Sequence, residues 1–162
     1  MPPRLVEPVA PVDGRQSETA LFIARGARRY WRARGFATVT ELSLRSGRRA
    51  DLVALGGDGT LHIVEIKSSV ADFRADGKWR DYRMHCDRLY FAVTAAFPQE
   101  ILPEAAGLIV ADAYGAVLVR DAPEHRLPPA TRRMVTLQFA QCAANRLHNL
   151  SDPSLSRPSA EL

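Results

Sequence analysis

The stretch ADLVALGGDGTLHIVEIK, residues 50–67, decides the fold class. Ala50 to Leu55 is a short apolar run interrupted only by Asp51. Gly56-Gly57-Asp58-Gly59 is turn chemistry, because glycine tolerates the positive φ that a tight hairpin needs. Thr60 to Lys67 is a second strand, and its period of two puts Ile63, Glu65 and Lys67 on one face and His62, Val64 and Ile66 on the other. Strands joined by so short a turn are antiparallel neighbours. Counting back from the turn brings Asp51 to the Glu65–Lys67 end, so two carboxylates and an ammonium converge at one edge of a sheet. Charges in apolar strands are costly unless they pair with one another or hold a cation.

Working outward, residues 17–34 read as a helix capped by Ser17, with Ala20, Ile23, Ala24, Ala27 and Trp31 on one face and Arg25, Arg28, Arg29 and Arg32 on the other. Such a basic row is either a solvated face or an electrostatic footprint for nucleic-acid phosphates. Gly35 ends the helix, and Phe36 to Leu44 alternates as a strand. After Lys67, Ser68 or Ser69 starts a helix, Ser69 and Asp72 having capping-box spacing; it is expected to run to about Cys86 with Trp79, Tyr82 and Cys86 on one face. Asp87 to Val93 is a largely apolar, central strand. A helical turn near Pro98 to Leu102, strands at 108–111 and 117–119, and a helix over about 130–148 complete the chain. The order αβββαβ, then a hairpin and a helix, predicts an α/β domain with a mixed central sheet flanked by helices. Residues 1–16 read as a flexible lead-in, 17–149 as the domain and 150–162 as a flexible tail.

The 162 residues suffice for one hydrophobic core, and 46% hydrophobic with 25% charged residues is ordinary for a globular protein. The net charge of +4 allows a polyanionic partner without demanding one. Lys occurs only at Lys67 and Lys78, the other 20 basic residues being Arg. Cys86 and Cys142 lack metal or disulfide spacing and read as buried thiols of a reducing cytoplasm. No apolar run approaches the roughly 20 residues of a membrane span, and the N-terminus lacks a signal-peptide core, so a cytoplasmic protein is expected. The four His residues show no metal-ligand spacing.

Asp51, Glu65 and a main-chain carbonyl such as that of Ile66 would form a hard oxygen site suited to Mg²⁺ or Mn²⁺, able to polarise a phosphodiester and acidify a bound water. Lys67 would orient that water or stabilise developing negative charge. A purely structural alternative is a salt-bridge cluster, Asp51 with Lys67 and Glu65 with a nearby Arg.

Asp51 followed by Glu65-Ile66-Lys67 on hairpin-linked strands resembles the PD-(D/E)XK nuclease signature, and the element order resembles its restriction-endonuclease-like αβββαβ core. Over about Ser17 to Leu147, the stretch RRADLVAL…HIVEIKSSVADFRADGKWRDYRMHCDRLYFAV resembles the bacterial MmcB-like DNA repair proteins. The resemblance implies a Mg²⁺-dependent deoxyribonuclease of the DNA-damage response, crosslinking damage in particular. It implies DNA and other repair proteins as partners, and a homodimer is admitted because related nucleases often cut duplexes as dimers. It makes Asp51, Glu65 and Lys67 catalytic. Glu18 resembles the helix-one acid that completes the metal site in resolvase-like members, although an acid is also favoured at a helix N-terminus by the dipole. Lys78 and Tyr82, four apart on the expected helix, resemble a Gln-x-x-x-Tyr pair with Lys in place of Gln. Ser68 and Ser69 stand where phosphate contacts occur, and capping alone also explains them. The family's Pro before the Asp is Ala50 here, and Glu41 is a spare acid without an assigned role. A catalytically inactive DNA- or protein-binding module and an RNA-directed nuclease are the competing functions.

Overall fold

Helix α1 (Glu18–Ala33) begins where Ser17 Oγ accepts the amide of Ala20 and ends in a left-handed Gly35. There Gly35 N–H bonds Arg32 O and Phe36 N–H bonds Trp31 O, while the Phe36 and Trp31 rings lie 5.0 Å apart. This pairing of main-chain bonds with an apolar contact stops a helix and aims the chain into the next element. The computed structural model describes residues 17–156; the expected lead-in 1–16 and residues 157–162 of the expected tail lie outside them.

Six strands follow: β1 (Ala37–Ser43), β2 (Arg49–Leu55), β3 (Leu61–Ile66), β4 (Arg88–Val93), β5 (Gly107–Ala111) and β6 (Ala116–Arg120). They lie in the sheet in chain order. β1–β2, β2–β3 and β5–β6 pair antiparallel, while β3–β4 and β4–β5 are parallel. The mixed α/β sheet anticipated from the chain is therefore observed, with β3 and β4 at its centre. The 56–59 turn closes with Gly56 N–H bonded to Thr60 O and with Gly59 at φ +87°.

Helices cover both faces. α1 buries Ile23, Ala27, Tyr30 and Trp31 against Leu52, Val64, Tyr90 and Ile109. On the other face α3 (Pro129–Ser151) and the segment after β3 set Val135, Phe139, Trp79 and Tyr82 against Val53, Ile63 and Phe91. Each large apolar side chain so buried stabilises the fold by roughly 1.5–3 kcal/mol. Gly26 is where α1 meets the β5–β6 turn, since a Cβ there would collide with the main-chain oxygens of Asp112 and Gly115. The arginines of the row on α1 are all exposed, as expected from their spacing.

The segment after Lys67 departs from expectation. Instead of one helix to Cys86 there is a short α2 (Val70–Ala75), a turn at Asp76-Gly77, and a 3₁₀ helix over Trp79–His85. Asp76 stops α2 by turning its carboxylate onto the Lys78 amide at 3.1 Å. Trp79 and Tyr82, three apart, share a face in either helix type, while Cys86 lies just past the 3₁₀ helix; all three are buried as anticipated. α3 runs to Ser151, past the expected end near 148, and Cys142 is only half-buried against the core.

The buried Asp87, just before β4, ties three segments together. Its carboxylate accepts the amides of Leu61 at 2.8 Å and Leu127 at 2.9 Å, and both guanidinium nitrogens of Arg132 at 2.6 Å. Those bonds hold its pKa down to about 2 in spite of the opposing effect of burial.

Candidate active site

The β2–β3 ladder is regular from Leu55↔Leu61 to Leu52↔Val64. At the next position Asp51 stands opposite Glu65, and side chains replace the ladder. Asp51 N–H donates to Glu65 Oε1 at 3.2 Å, and Ile66 N–H donates to Asp51 Oδ2 at 2.8 Å. Each carboxylate accepts an amide of the other strand, and both line one cavity. The convergence expected from the hairpin is thus met at a point where the two strands part.

A departure in β1 contributes. Glu41, opposite Asp51 in register, has φ +50°, a left-handed conformation that costs a non-glycine residue roughly 1–2 kcal/mol. A regular strand would place Val39 and Leu42 on opposite faces, yet both pack in the same core with Val53 and Ile63. The kink at Glu41 resets the alternation, and it leaves Glu41 on the wall of a cavity of about 410 Å³ shared with Asp51, Glu65, Lys67 and Tyr82.

Burial pushes the Asp51 carboxyl up, partly offset by the Ile66 amide and Lys67. Glu65 is driven well above the carboxylate range by burial and then by the charge of Asp51. Without a cation, the pair holds a proton more readily than either acid would alone. Lys67 is 5% exposed and its ammonium lies 2.7 Å from Asp76 Oδ2. Burial disfavours its charge, but the Asp76 hydrogen bond and the charges of Asp76 and Glu65 outweigh that and raise its pKa. Neither ion pair of the purely structural alternative forms: Lys67 takes Asp76, and no Arg pairs with Glu65 among the described residues.

The other expected site residues divide. Ile66, Ser68 and Tyr82 line the cavity. The Ser68 amide donates to Asp72 Oδ2, and the Tyr82 hydroxyl donates to Arg49 O at 3.0 Å. Burial and then the charges of Glu65 and Asp51 hold the Tyr82 hydroxyl protonated. Ser69 is exposed and caps α2, its Oγ accepting the Asp72 amide. Glu18 is exposed in the first turn of α1, and Ser17 and Ala20 rather than Glu18 reach the cavity wall. Lys78 is exposed at the start of the 3₁₀ helix, and four residues at three per turn separate it from Tyr82 by a third of a turn, so the two do not share a face. Sequence reasoning missed Asp76; its signal is the Asp-Gly turn that breaks the helix. Of the histidines, His62 is buried among Trp31, Phe36 and Tyr90, its pKa lowered to about 4 by burial, and none lines the cavity.

Among the described residues no group of three or more His, Cys, Asp or Glu side chains is arranged to hold a metal. Any cation would rest on two carboxylates and main-chain oxygen. No helix among the described residues is long and apolar enough to cross a membrane.

A six-stranded mixed sheet with helices on both faces, with a carboxyl pair beside a buried lysine where the inner strands β2 and β3 part, is consistent with a restriction-endonuclease-like core. The chain belongs to the MmcB-like family, described as DNA repair protein MmcB-like, which it matches over residues 7–154. It is also similar to a solved structure, the SPO1766 protein of unknown function from Silicibacter pomeroyi, at 44% identity and a TM-score of 0.84, covering 90% of this chain and 99% of that one. No curated protein matches it.

Proposed function

We propose that this protein is a PD-(D/E)XK-type deoxyribonuclease of the DNA-damage response, hydrolysing phosphodiester bonds at Asp51, Glu65 and Lys67. The observation that carries the reading is the carboxyl pair, buried Glu65 and half-buried Asp51 facing one cavity from opposite strands, with burial raising the pKa of both. Such a pair is relieved by a cation. One oxygen of each accepts a main-chain amide, which fixes its orientation, and the donor set of two carboxylates with the Ile66 carbonyl is hard oxygen, fitting Mg²⁺ or Mn²⁺. When bound, the ion supplies Lewis-acid polarisation and an acidified water.

The raised pKa of Lys67 sharpens its role. It stays charged at neutral pH, so it orients the attacking water and stabilises negative charge on the phosphate rather than abstracting a proton. Asp76 fixes the ammonium, and Ser68 and Tyr82 stand where substrate would pass.

Purified protein should cut branched, damaged or single-stranded DNA with Mg²⁺ or Mn²⁺, and not with chelator. Asp51→Ala should abolish cleavage, and Lys67→Ala should lower it by about 10²–10³-fold, the usual loss for an electrostatic contact to the transition state. No cleavage across the panel, or full activity in Lys67→Ala, would overturn the proposal.

One observation favours a second reading, a non-catalytic DNA- or protein-binding module of a repair complex. The acids already serve the backbone and Lys67 already has a partner, as in a structural cluster. DNA binding unchanged in Asp51→Ala, with no Mn²⁺ binding by calorimetry, would select it.

A further inference from the structure

The cavity wall is acidic and does not by itself attract a phosphodiester. It carries Glu41, Asp51, Glu65, Asp72 and Asp76 against only Arg49 and Lys67, an excess of three formal negative charges. Attraction for a polyanion must come from its surroundings. The free edge of β1, which passes the cavity at Glu41, supplies it from three different elements. From α1, Arg28 Nε reaches Thr38 Oγ1 at 3.4 Å. From α3, Arg146 reaches Thr40 Oγ1 at 3.4 Å and Glu41 O at 3.3 Å. From β2, Arg49 stands opposite Ser43 and only 3.9 Å from Glu41 Oε1, with over half its side chain exposed.

Arg28 and Arg146 have no carboxylate within 4.0 Å among the described residues; their contacts are long and to neutral oxygens. Exposed guanidiniums held loosely in this way keep their charge and donors for an incoming anion. At about 3.3 Å per residue, the span from Thr38 to Ser43 is about 17 Å, long enough for two or three successive phosphates.

We propose that the β1 edge is a track for the DNA backbone, with Arg28, Arg146 and Arg49 taking phosphates on the approach to Asp51 and Glu65. The inference rests on the reading of that site as one that receives DNA, but it does not need cleavage.

It is tested on the full chain without divalent cation, by fluorescence anisotropy of a labelled DNA duplex and its single strand over a range of salt. For whichever probe binds more tightly, Arg28→Ala with Arg146→Ala should weaken binding and reduce the slope of log K against log [salt] by about 2, one per lost phosphate contact. Arg28→Lys with Arg146→Lys should keep most of that slope, which separates charge from folding. Arg126→Ala with Arg133→Ala, one just before and one within the N-terminal part of α3, should change it less. Unchanged affinity and slope in the first pair, or a larger loss in the α3 pair, overturns the track. Binding along β1 by a protein that never cuts DNA would leave the track standing and sink the nuclease proposal alone.

Discussion

Asp87 offers the most quantitative test of the architecture. Asp87→Asn preserves shape but turns an amide donor toward a site built from four donors: the amides of Leu61 and Leu127 and two nitrogens of Arg132. Removing one partner of a buried ion pair costs about 3–5 kcal/mol, chiefly because the remaining groups are left dry and unpaired. For a chain of this size each kcal/mol lowers Tm by about 2–4 °C, so a drop of about 6–20 °C is expected. The pH dependence supplies an independent magnitude. The folded pKa is depressed from 3.8 to about 2, so the charged form contributes about 2 kcal/mol that is fully present above pH 3.8 and is lost as pH falls through about 2. This is smaller than the cost of substitution because the neutral acid keeps some hydrogen bonds that the amide cannot. Urea unfolding followed by circular dichroism between pH 7 and pH 2 measures both, and a cycle with Arg132→Ala isolates the pair. A loss below about 1 kcal/mol in Asp87→Asn, or an acid limb identical to that of the wild type, would refute the assignment of Asp87 as the clamp.

At the site, Glu65→Gln removes a carboxyl whose pKa is raised by burial and by Asp51, a group that costs stability as pH rises from its unfolded value through its folded one. The variant should melt higher than wild type at neutral pH without divalent cation, and the difference should vanish in acid; differential scanning calorimetry decides. Gly26→Ala forces a methyl against the carbonyls of Asp112 and Gly115 and should destabilise by about 1–3 kcal/mol in urea titration. Tyr82→Phe deletes the bond to Arg49 O at the cavity wall and should cost about 1 kcal/mol, read the same way. Asp76→Asn should weaken the hold on Lys67 and lower its pKa, visible as a shift in its side-chain titration by NMR.

The hairpin and its charged end were legible because both signals are local: glycines in a turn, then a period of two carrying Glu65 and Lys67 to one face. What the sequence hides is tertiary. The partner of Lys67 lies nine residues on, across a break that a continued helical pattern masks, since Trp79 and Tyr82 are spaced for either helix type. Nothing in TVTELS marks the left-handed Glu41, because the conformation is imposed by the elements around it. Asp87 reads as the first residue of a strand; its clamp depends on Arg132, 45 residues away. Glu18 and Lys78 were drawn toward the site by analogy of position, and the orientation of α1 and the tighter 3₁₀ winding leave both outside.

The chain-order sheet bears on how the molecule is made. Each strand emerging from the ribosome meets its sheet neighbour already made, by tight turns in the antiparallel pairs and by longer crossovers in the parallel β3–β4 and β4–β5 pairs. The helices depart from that order, and α3, synthesised after the sheet, returns to β1, the first strand, with Arg146 on Thr40 and Glu41. Until α3 arrives, Asp51, Glu65 and Lys67 would therefore stand together without the Arg146 contacts beside the left-handed Glu41. The outer flank of Glu41 is thus put in place only when α3 docks, after the sheet.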